Sequence, residues 1–469
     1  MSEEARELAP RNSGKSRPFR RFTRFWPALL LALLVLPIAA HFAIRLWTRP
    51  KLPPVVVETR NATRDGKLHR FGDSYVLERE GLLEVGLGGT PEAIGYAHAR
   101  LLFDAMRENE GILLDRFSER VSNRLVRTFL LDVAAFRYRA VDRGMSDDRK
   151  RELAAMAFGF QPDPYADFFP TYQRFVYLNA LYDISLSFEH SPLLGCTTVA
   201  FRGDAVPEGG ALVGRAFDFE VDEVFDRKKA VFLVREQGKI PFASVAWPGL
   251  VGVVSGMNAA GLFVVVHGGR AGEPRTQGEP VVHALRRVLS ETSSVAGAVR
   301  ALDERAPLVS HIVVLADETG AVSVIERVPG KKGHVVPLGP RAAVSNHLTG
   351  PDRDDPKNLR VRQETTSEPR YARANELTAG TAAATPERVL AILRDRSALG
   401  GRPLPPGDRR AIDADIATHG VIADTRARLL WVSEAPHLSG RFVEFDLARM
   451  LDDSYRPELS VPLRALPKR

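Results

Sequence analysis

The chain holds a single cysteine, Cys196, in 469 residues. No internal disulfide is possible, so the fold rests on its core and the thiol is either an inert small side chain or a reactive one. With one cysteine there is no CxxC pair, and HExxH, the P-loop and the GxSxG elbow are missing too, which removes the usual signatures of zinc, nucleotide and serine-hydrolase chemistry. "GLGGT" at 86–90 lacks the spacing of a dinucleotide loop, and "DRDDPKN" at 352–358 lacks an EF-hand pattern. Neither a metal nor any other cofactor is indicated. The folded part also lacks a charge surplus. Residues 1–51 carry ten Lys/Arg and three Asp/Glu, leaving 55 of each sign in the remainder of a chain whose net charge is +7. A nucleic-acid partner requires a basic stripe on the folded surface, and none is on offer.

What is present is material for a core: 44% hydrophobic and 26% charged residues, the profile of a globular protein. From Phe25 to Ile44 twenty residues pass without a formal charge, bracketed by Trp26 and Trp47, about the length of a bilayer-spanning helix. Residues 11–24 upstream carry six Lys/Arg and no acid. The expectation is a single-pass anchor with a cytoplasmic N-terminus and an exported domain, periplasmic or extracellular. A cleavable signal with secretion is the alternative. The expected divisions are a basic tail (1–24), the anchor (25–47), a Pro-rich linker (48–70), a mostly helical segment (71–195) and a strand-rich segment (196–469).

After the linker, two short strands and a glycine turn lead into a helix, with Thr90 as N-cap and Pro91 at the first helical position. "NRLVRTFLLDVAAFRYRAV" and "YQRFVYLNALYDISLSF" repeat apolar residues at helical spacing. At Cys196 the texture changes to short β-branched and aromatic runs: "CTTVAFRG", "ALVGRAFDF", "KAVFLVRE", "PFASVAW", "LVGVVSG" and "GLFVVVHG". Two helical stretches, "EPVVHALRRVLSE" and "SVAGAVRALDE", come next, then "HIVVLAD", "AVSVIER", "HVVPL" and "AAVSNHL". Strands in runs, helices, then strands again predict packed antiparallel sheets with helices outside.

If the first two strands pair about a turn centred near Pro207, paired positions sum to about 414 and Cys196 stands opposite Asp218. Strict alternation then aims Arg215 at the other face, so a bend is required for it to serve that pair.

Five stretches in this order resemble a known family: Cys196 in "GCTT", Arg215 and Asp218 in "GRAFDF", "SGMNAAGL" at 255–262, "VSNHL" at 344–348 and "SEPRYAR" at 367–373. Together with "LGGTPEAIGYAHARLL", they look like the N-terminal nucleophile hydrolases. The branch is that of acyl-coenzyme A:isopenicillin N acyltransferase, with choloylglycine hydrolase and penicillin V acylase as relatives. The resemblance implies an α+β fold, a four-layer αββα sandwich of antiparallel sheets, preceded here by the helical pro-region and the anchor. It implies a zymogen cut by autoproteolysis between Gly195 and Cys196, whose new α-amine activates its own thiol toward small N-acyl substrates as a hydrolase or acyltransferase. By position, Asp218 and Arg215 match the acid and arginine beside the nucleophile, Asn346 the oxyanion asparagine and Arg370 a supporting arginine. The pattern departs twice: Ala216 stands where many members have asparagine, and His267 where a second oxyanion asparagine is found. Asn258, His267 and Arg370 are the candidates for substrate or oxyanion contacts; read from the residues alone, Asn258 is also a hairpin-turn residue, and His267 and His347 are sheet-end histidines or partners of the thiol. Two alternatives to self-processing remain: an uncut thiol hydrolase pairing Cys196 with a histidine, and a non-catalytic anchored binding protein on the same fold.

Overall fold

The computed structural model describes residues 26–59, 62–79, 81–187, 194–458 and 463–469. The basic tail expected at 1–24 and the segment 188–193 just before the thiol lie outside the described residues. Two sheets organise the chain, one of eleven strands and one of seven. Every strand pairing is antiparallel except that of Leu82–Gly89 with Ala230–Glu236.

Three apolar cores set the layers. Val213, Val421 and Phe445 of the smaller sheet meet Val231, Val265 and Val314 of the larger in one core, so the sheets stack face to face. On the larger sheet's other face, Ile94, Ala97, Leu153 and Leu285 of three helices pack on Val85, Val234 and Val264. On the outer face of the smaller sheet, Ala374, Val389 and Leu393 cover Val199, Leu212 and Ile422. The order is helix, sheet, sheet, helix, and the near-continuous apolar runs of the central strands permit it, because strands buried on both faces need apolar side chains on both. Thr90 caps the helix Pro91–Arg120 through its hydroxyl, which accepts from Ala93 N at 3.3 Å.

Several expectations are corrected here. "LVGVVSG" is mostly irregular, with a strand only at Ser255–Asn258. The helices Pro356–Glu364, Ser367–Ala379 and Pro386–Leu393 and the strands Ala417–Asp424, Leu429–Ser433 and Phe442–Asp446 were not foreseen.

The membrane anchor and the single-pass topology built on it are overturned: among the described residues no helix is long and apolar enough to cross a membrane. The helix Trp26–Trp47 forms, with Pro37 inside it. Its last turns, however, are tied to the folded domain by polar contacts. Asp132 takes His41 Nδ1 at 2.6 Å and Arg45 Nε at 2.8 Å. The Arg45 guanidinium also lies 4.0 Å from the Phe169 ring centroid and donates to Phe168 O. The run ahead of His41 is shorter than the ~20 residues a spanning helix needs.

Candidate active site

Cys196 lies near the start of the strand Leu194–Arg202, paired with Ala211–Phe219. The register differs by one from the expected one: Cys196 faces Phe217, Thr198 faces Arg215, and Gly195 faces Asp218. The turn is not symmetric about Pro207, because a short 3₁₀ segment at Gly203–Ala205 takes up part of it. A one-residue slip exchanges the faces of a strand. Arg215 therefore shares the inter-sheet face with the thiol and no bend is needed, while Asp218 belongs with the glycine before it.

Arg215 is fully buried, so its charge has to be satisfied locally. Nη2 donates to Cys196 Sγ at 3.3 Å and to Val266 O at 2.6 Å. Nη1 donates to Val254 O at 3.0 Å and to Ser255 Oγ, with His419 Nε2 at 3.4 Å. The guanidinium lies 4.4 Å from the Phe217 ring centroid. Burial pushes the Cys196 thiol up from its ordinary value, and the Arg215 charge opposes that rise.

The other face of the strand belongs to the helix Ser367–Ala379. Arg370 Nη1 donates to Cys196 O at 2.6 Å and to Thr197 Oγ1 at 2.8 Å, and its Nη2 to Asn346 Oδ1 at 2.9 Å. Asn346, just beyond the strand Arg341–Val344, accepts Cys196 N at 2.8 Å. Its own backbone N–H is held by Ser367 Oγ at 2.8 Å. Asp218 is buried, and burial pushes its carboxyl up. A Cβ added at Gly195 would stand 2.8 Å from Asp218 Oδ2, which is the steric reason for glycine at that position. Asp218 Oδ1 has no partner among the described residues.

Four of the expected residues, Arg215, Asp218, Asn346 and Arg370, thus surround the Gly195–Cys196 peptide. The others are occupied elsewhere. His267 Nε2 pairs with Thr198 Oγ1 at 2.7 Å, and burial drives its pKa well down, keeping the ring neutral. His347 Nδ1 meets Ser367 Oγ at 2.8 Å. Asn258 spends its side chain on a turn, accepting from Ala260 N and Leu262 N and donating to Leu289 O and Thr292 O. The sequence reading missed Thr198, which period-two spacing from Cys196 would have revealed. It also missed Ser367 and Ser255, the first residues of "SEPRYAR" and "SGMNAAGL", and His419, which carries no sequence signal; Ser255 and His419 brace Arg215. Among the described residues, no group of three or more His, Cys, Asp or Glu side chains is placed to hold a metal.

A cleft of about 540 Å³ opens beside the Gly195–Cys196 bond, reaching Gly195, Gly268, Asn346 and Arg370. Residues 206–400, which carry all of these except Gly195, match the model of the family described as acyl-coenzyme A:6-aminopenicillanic acid acyl-transferase. The match bears out the resemblance. The acyl-transferase match supports amide hydrolysis or acyl transfer as the activity; it begins after Cys196 and does not reach the thiol.

Among solved structures, the chain is similar to the Caenorhabditis elegans ortholog of N-acylethanolamine-hydrolyzing acid amidase, at 15% identity over 49% of this chain and 93% of that one, with a TM-score of 0.37. A mutant of conjugated bile acid hydrolase from Clostridium perfringens shows 13% identity over 58% and 97%, with a TM-score of 0.39. Penicillin V acylase from Agrobacterium tumefaciens shows 17% over 55% and 87%, with a TM-score of 0.37. With scores this low, none of them bears on the chemistry of the site. No curated protein matches the chain.

Proposed function

We propose that the protein is a self-processing cysteine amidohydrolase or acyltransferase that acts on small N-acyl substrates. The observation that carries this reading is the grip on one residue, Cys196, and the glycine before it. Cys196 N is bonded to Asn346, Cys196 O to Arg370 and Cys196 Sγ to Arg215, and the Asp218 carboxylate is packed against Gly195. An inert core cysteine has no use for such an arrangement.

In the first step Sγ attacks the Gly195 carbonyl carbon. The S–C bond forms, the C–N bond breaks, and the thiol proton goes to the departing nitrogen, which becomes the α-amine of Cys196. Water then hydrolyses the thioester, giving a carboxylate at Gly195 and a free thiol. The new amine, with an ordinary pKa of about 7.7–8.0, accepts the thiol proton in later turnovers, so nucleophile and base share one residue. Asp218 lies where it can hold that amine. In turnover the thiol attacks the acyl carbonyl of the substrate, the amine half leaves with the proton, and water or a second amine takes the acyl group. Asn346 Nδ2, which donates to Gly268 O at 3.3 Å in the uncut chain, turns to the oxyanion in turnover.

A histidine-activated thiol is disfavoured. The hydrogen bonds of Cys196 Sγ go to Arg215 and to Val266 O, while His267 and His347 are bound to Thr198 and Ser367.

Intact-mass measurement of the purified full chain tests the reading. Two fragments are expected, the second beginning at Cys196, together with Cys196-dependent hydrolysis of members of an N-acyl amide panel. Cys196→Ala is expected to remain one chain. Cleavage of that variant at the parent rate would overturn the mechanism.

A further inference from the structure

Away from the cleft, a second cavity of about 70 Å³ lies among the helices Pro91–Arg120, Thr171–Leu178 and Leu181–Leu186 and the turn at 248–250. Leu181 lines this cavity, and Leu186, at the other end of the same helix, lines the cleft. None of Cys196, Arg215, Asp218 and Asn346 borders it, so the reaction gives it no role.

Met106, Leu113, Phe175 and Leu178 form apolar walls. Asn109 and Glu110 line the same space, each 4% exposed. Asn109 Oδ1 and Glu110 Oε2 have no hydrogen-bond partner among the described residues. A buried acceptor left without a donor costs stability, and two of them on one cavity call for an explanation. The charge around them is also unbalanced. Glu110 Oε1 takes Arg174 Nε, and Arg174 Nη2 donates to Asp163 Oδ1 at 2.8 Å. One guanidinium thus answers two carboxylates, all three side chains being buried, and the cluster keeps one negative charge in excess. Burial pushes the Glu110 carboxyl up and Arg174 opposes the rise. A further cation at Oε2 would hold it ionised.

Water fits this space poorly. The volume holds about five waters, each wanting two or more polar partners, and most of them would face only side-chain carbon. A hard metal ion asks for about six oxygens or more, and the cavity offers far fewer. A primary ammonium has three donors and no acceptor. That set matches Glu110 Oε2, Asn109 Oδ1 and the carbonyl of Pro248, which takes Asn109 Nδ2 at 3.4 Å and has a lone pair to spare. An alkyl chain behind the nitrogen would cover the apolar walls.

We propose that this cavity binds a small primary alkylammonium ion, a straight-chain amine of about two to four carbons, with its nitrogen on Glu110 and Asn109 and its methylenes against Met106, Leu113, Phe175 and Leu178. Charge-assisted hydrogen bonds to the carboxylate supply the strength, and the walls supply the preference for a chain.

Calorimetric titration of the purified full chain with butylammonium chloride, butan-1-ol and potassium chloride, at constant ionic strength, tests the site. Butylammonium is expected to bind about tenfold or more tighter than either control, since the alcohol lacks the charge and potassium lacks the chain. With butylammonium present, amide hydrogen exchange is expected to slow in the helices Pro91–Arg120 and Thr171–Leu178. Glu110→Gln keeps an acceptor for Arg174 and removes the charge, and is expected to weaken butylammonium binding about tenfold or more. Should that variant fail to fold, Leu113→Trp fills the cavity from a half-buried position and leaves Glu110 and Arg174 in place; loss of binding is expected. Cys196→Ala protein is expected to bind as the parent does, so the result stands apart from self-processing. The proposal is overturned by an absence of binding, by equal binding of the alcohol or of potassium, by protection confined to residues of the cleft, or by binding that either folded variant leaves unmoved.

Discussion

Asn346 Oδ1 accepts the backbone N–H of Cys196 at 2.8 Å, across 150 positions of chain. That bond joins the end of the strand Arg341–Val344 to the strand that carries the thiol, and Arg370 meets the same oxygen at 2.9 Å. On the proposed reading, the nitrogen that would become the amine is oriented before any bond is broken. Asn346→Ala removes this acceptor and the oxyanion donor together. The expected result is a loss of about a hundredfold or more in the rate of fragment appearance, read from a gel time course, with folding retained by circular dichroism. Processing at the parent rate would remove Asn346 from the mechanism.

Gly195 tests the packing of Asp218 against the Gly195–Cys196 bond. Gly195→Ala places a methyl 2.8 Å from Asp218 Oδ2 and 3.2 Å from Asp218 Cβ, so the carboxylate or the peptide has to shift. Processing is expected to slow by about tenfold or more, because attack depends on alignment of sulfur and carbonyl. Thermal stability of the variant is measured alongside. An unchanged rate would show that the carboxylate does not fix this peptide.

Acid stability depends on histidines held neutral. His98 Nε2 accepts Gly249 N at 2.9 Å, and burial, with Arg286 nearby, pushes its pKa down to about 3. The unfolded chain takes up this proton near pH 6.5. Between about pH 6.5 and 3 the unfolded state binds a proton that the native state refuses, so stability is full above the window and falls as pH drops through it. His98→Gln keeps an acceptor and removes the titration. Its melting temperature is expected to fall less steeply than the parent's between pH 6.5 and 4, and parallel slopes would refute the assignment.

Asp132 fastens the N-terminal helix. It is buried and takes both His41 and Arg45, so Asp132→Ala leaves two donors without their acceptor at a cost of about 2 kcal/mol. Faster protease cleavage within residues 26–52 is expected, with the remainder of the chain keeping its melting temperature. Cleavage at the parent rate would mean that the helix is held by other contacts.

Much of the sheet framework could be read in the sequence. "ALVGRAFDF" is the strand Ala211–Phe219 to the residue, and the helices at 281–291 and 295–303 fall where their periodicity put them, because alternation and helical spacing are local consequences of burial. The last third was less legible. "ATHGVIAD" and "LLWVS" form strands there although they are no less buried than "ALVGRAFDF".

The sequence by itself determined that one thiol exists, that glycine precedes it, and that it opens a strand paired with the one carrying Arg215 and Asp218. Only the tertiary structure decided which of those two shares the thiol's face, since a slip of one residue reverses that relation and nothing in the local pattern distinguishes the registers. The fold alone also brought Asn346 and Arg370 to Cys196. Asn346 is placed by the pairing of Arg341–Val344 with the thiol's strand and Arg370 by the stacking of a helix on the smaller sheet, arrangements of segments distant in the chain. The same holds at the N-terminus, where an apolar run of nearly spanning length has its last turns claimed by Asp132, a partner that no reading of the run itself could supply.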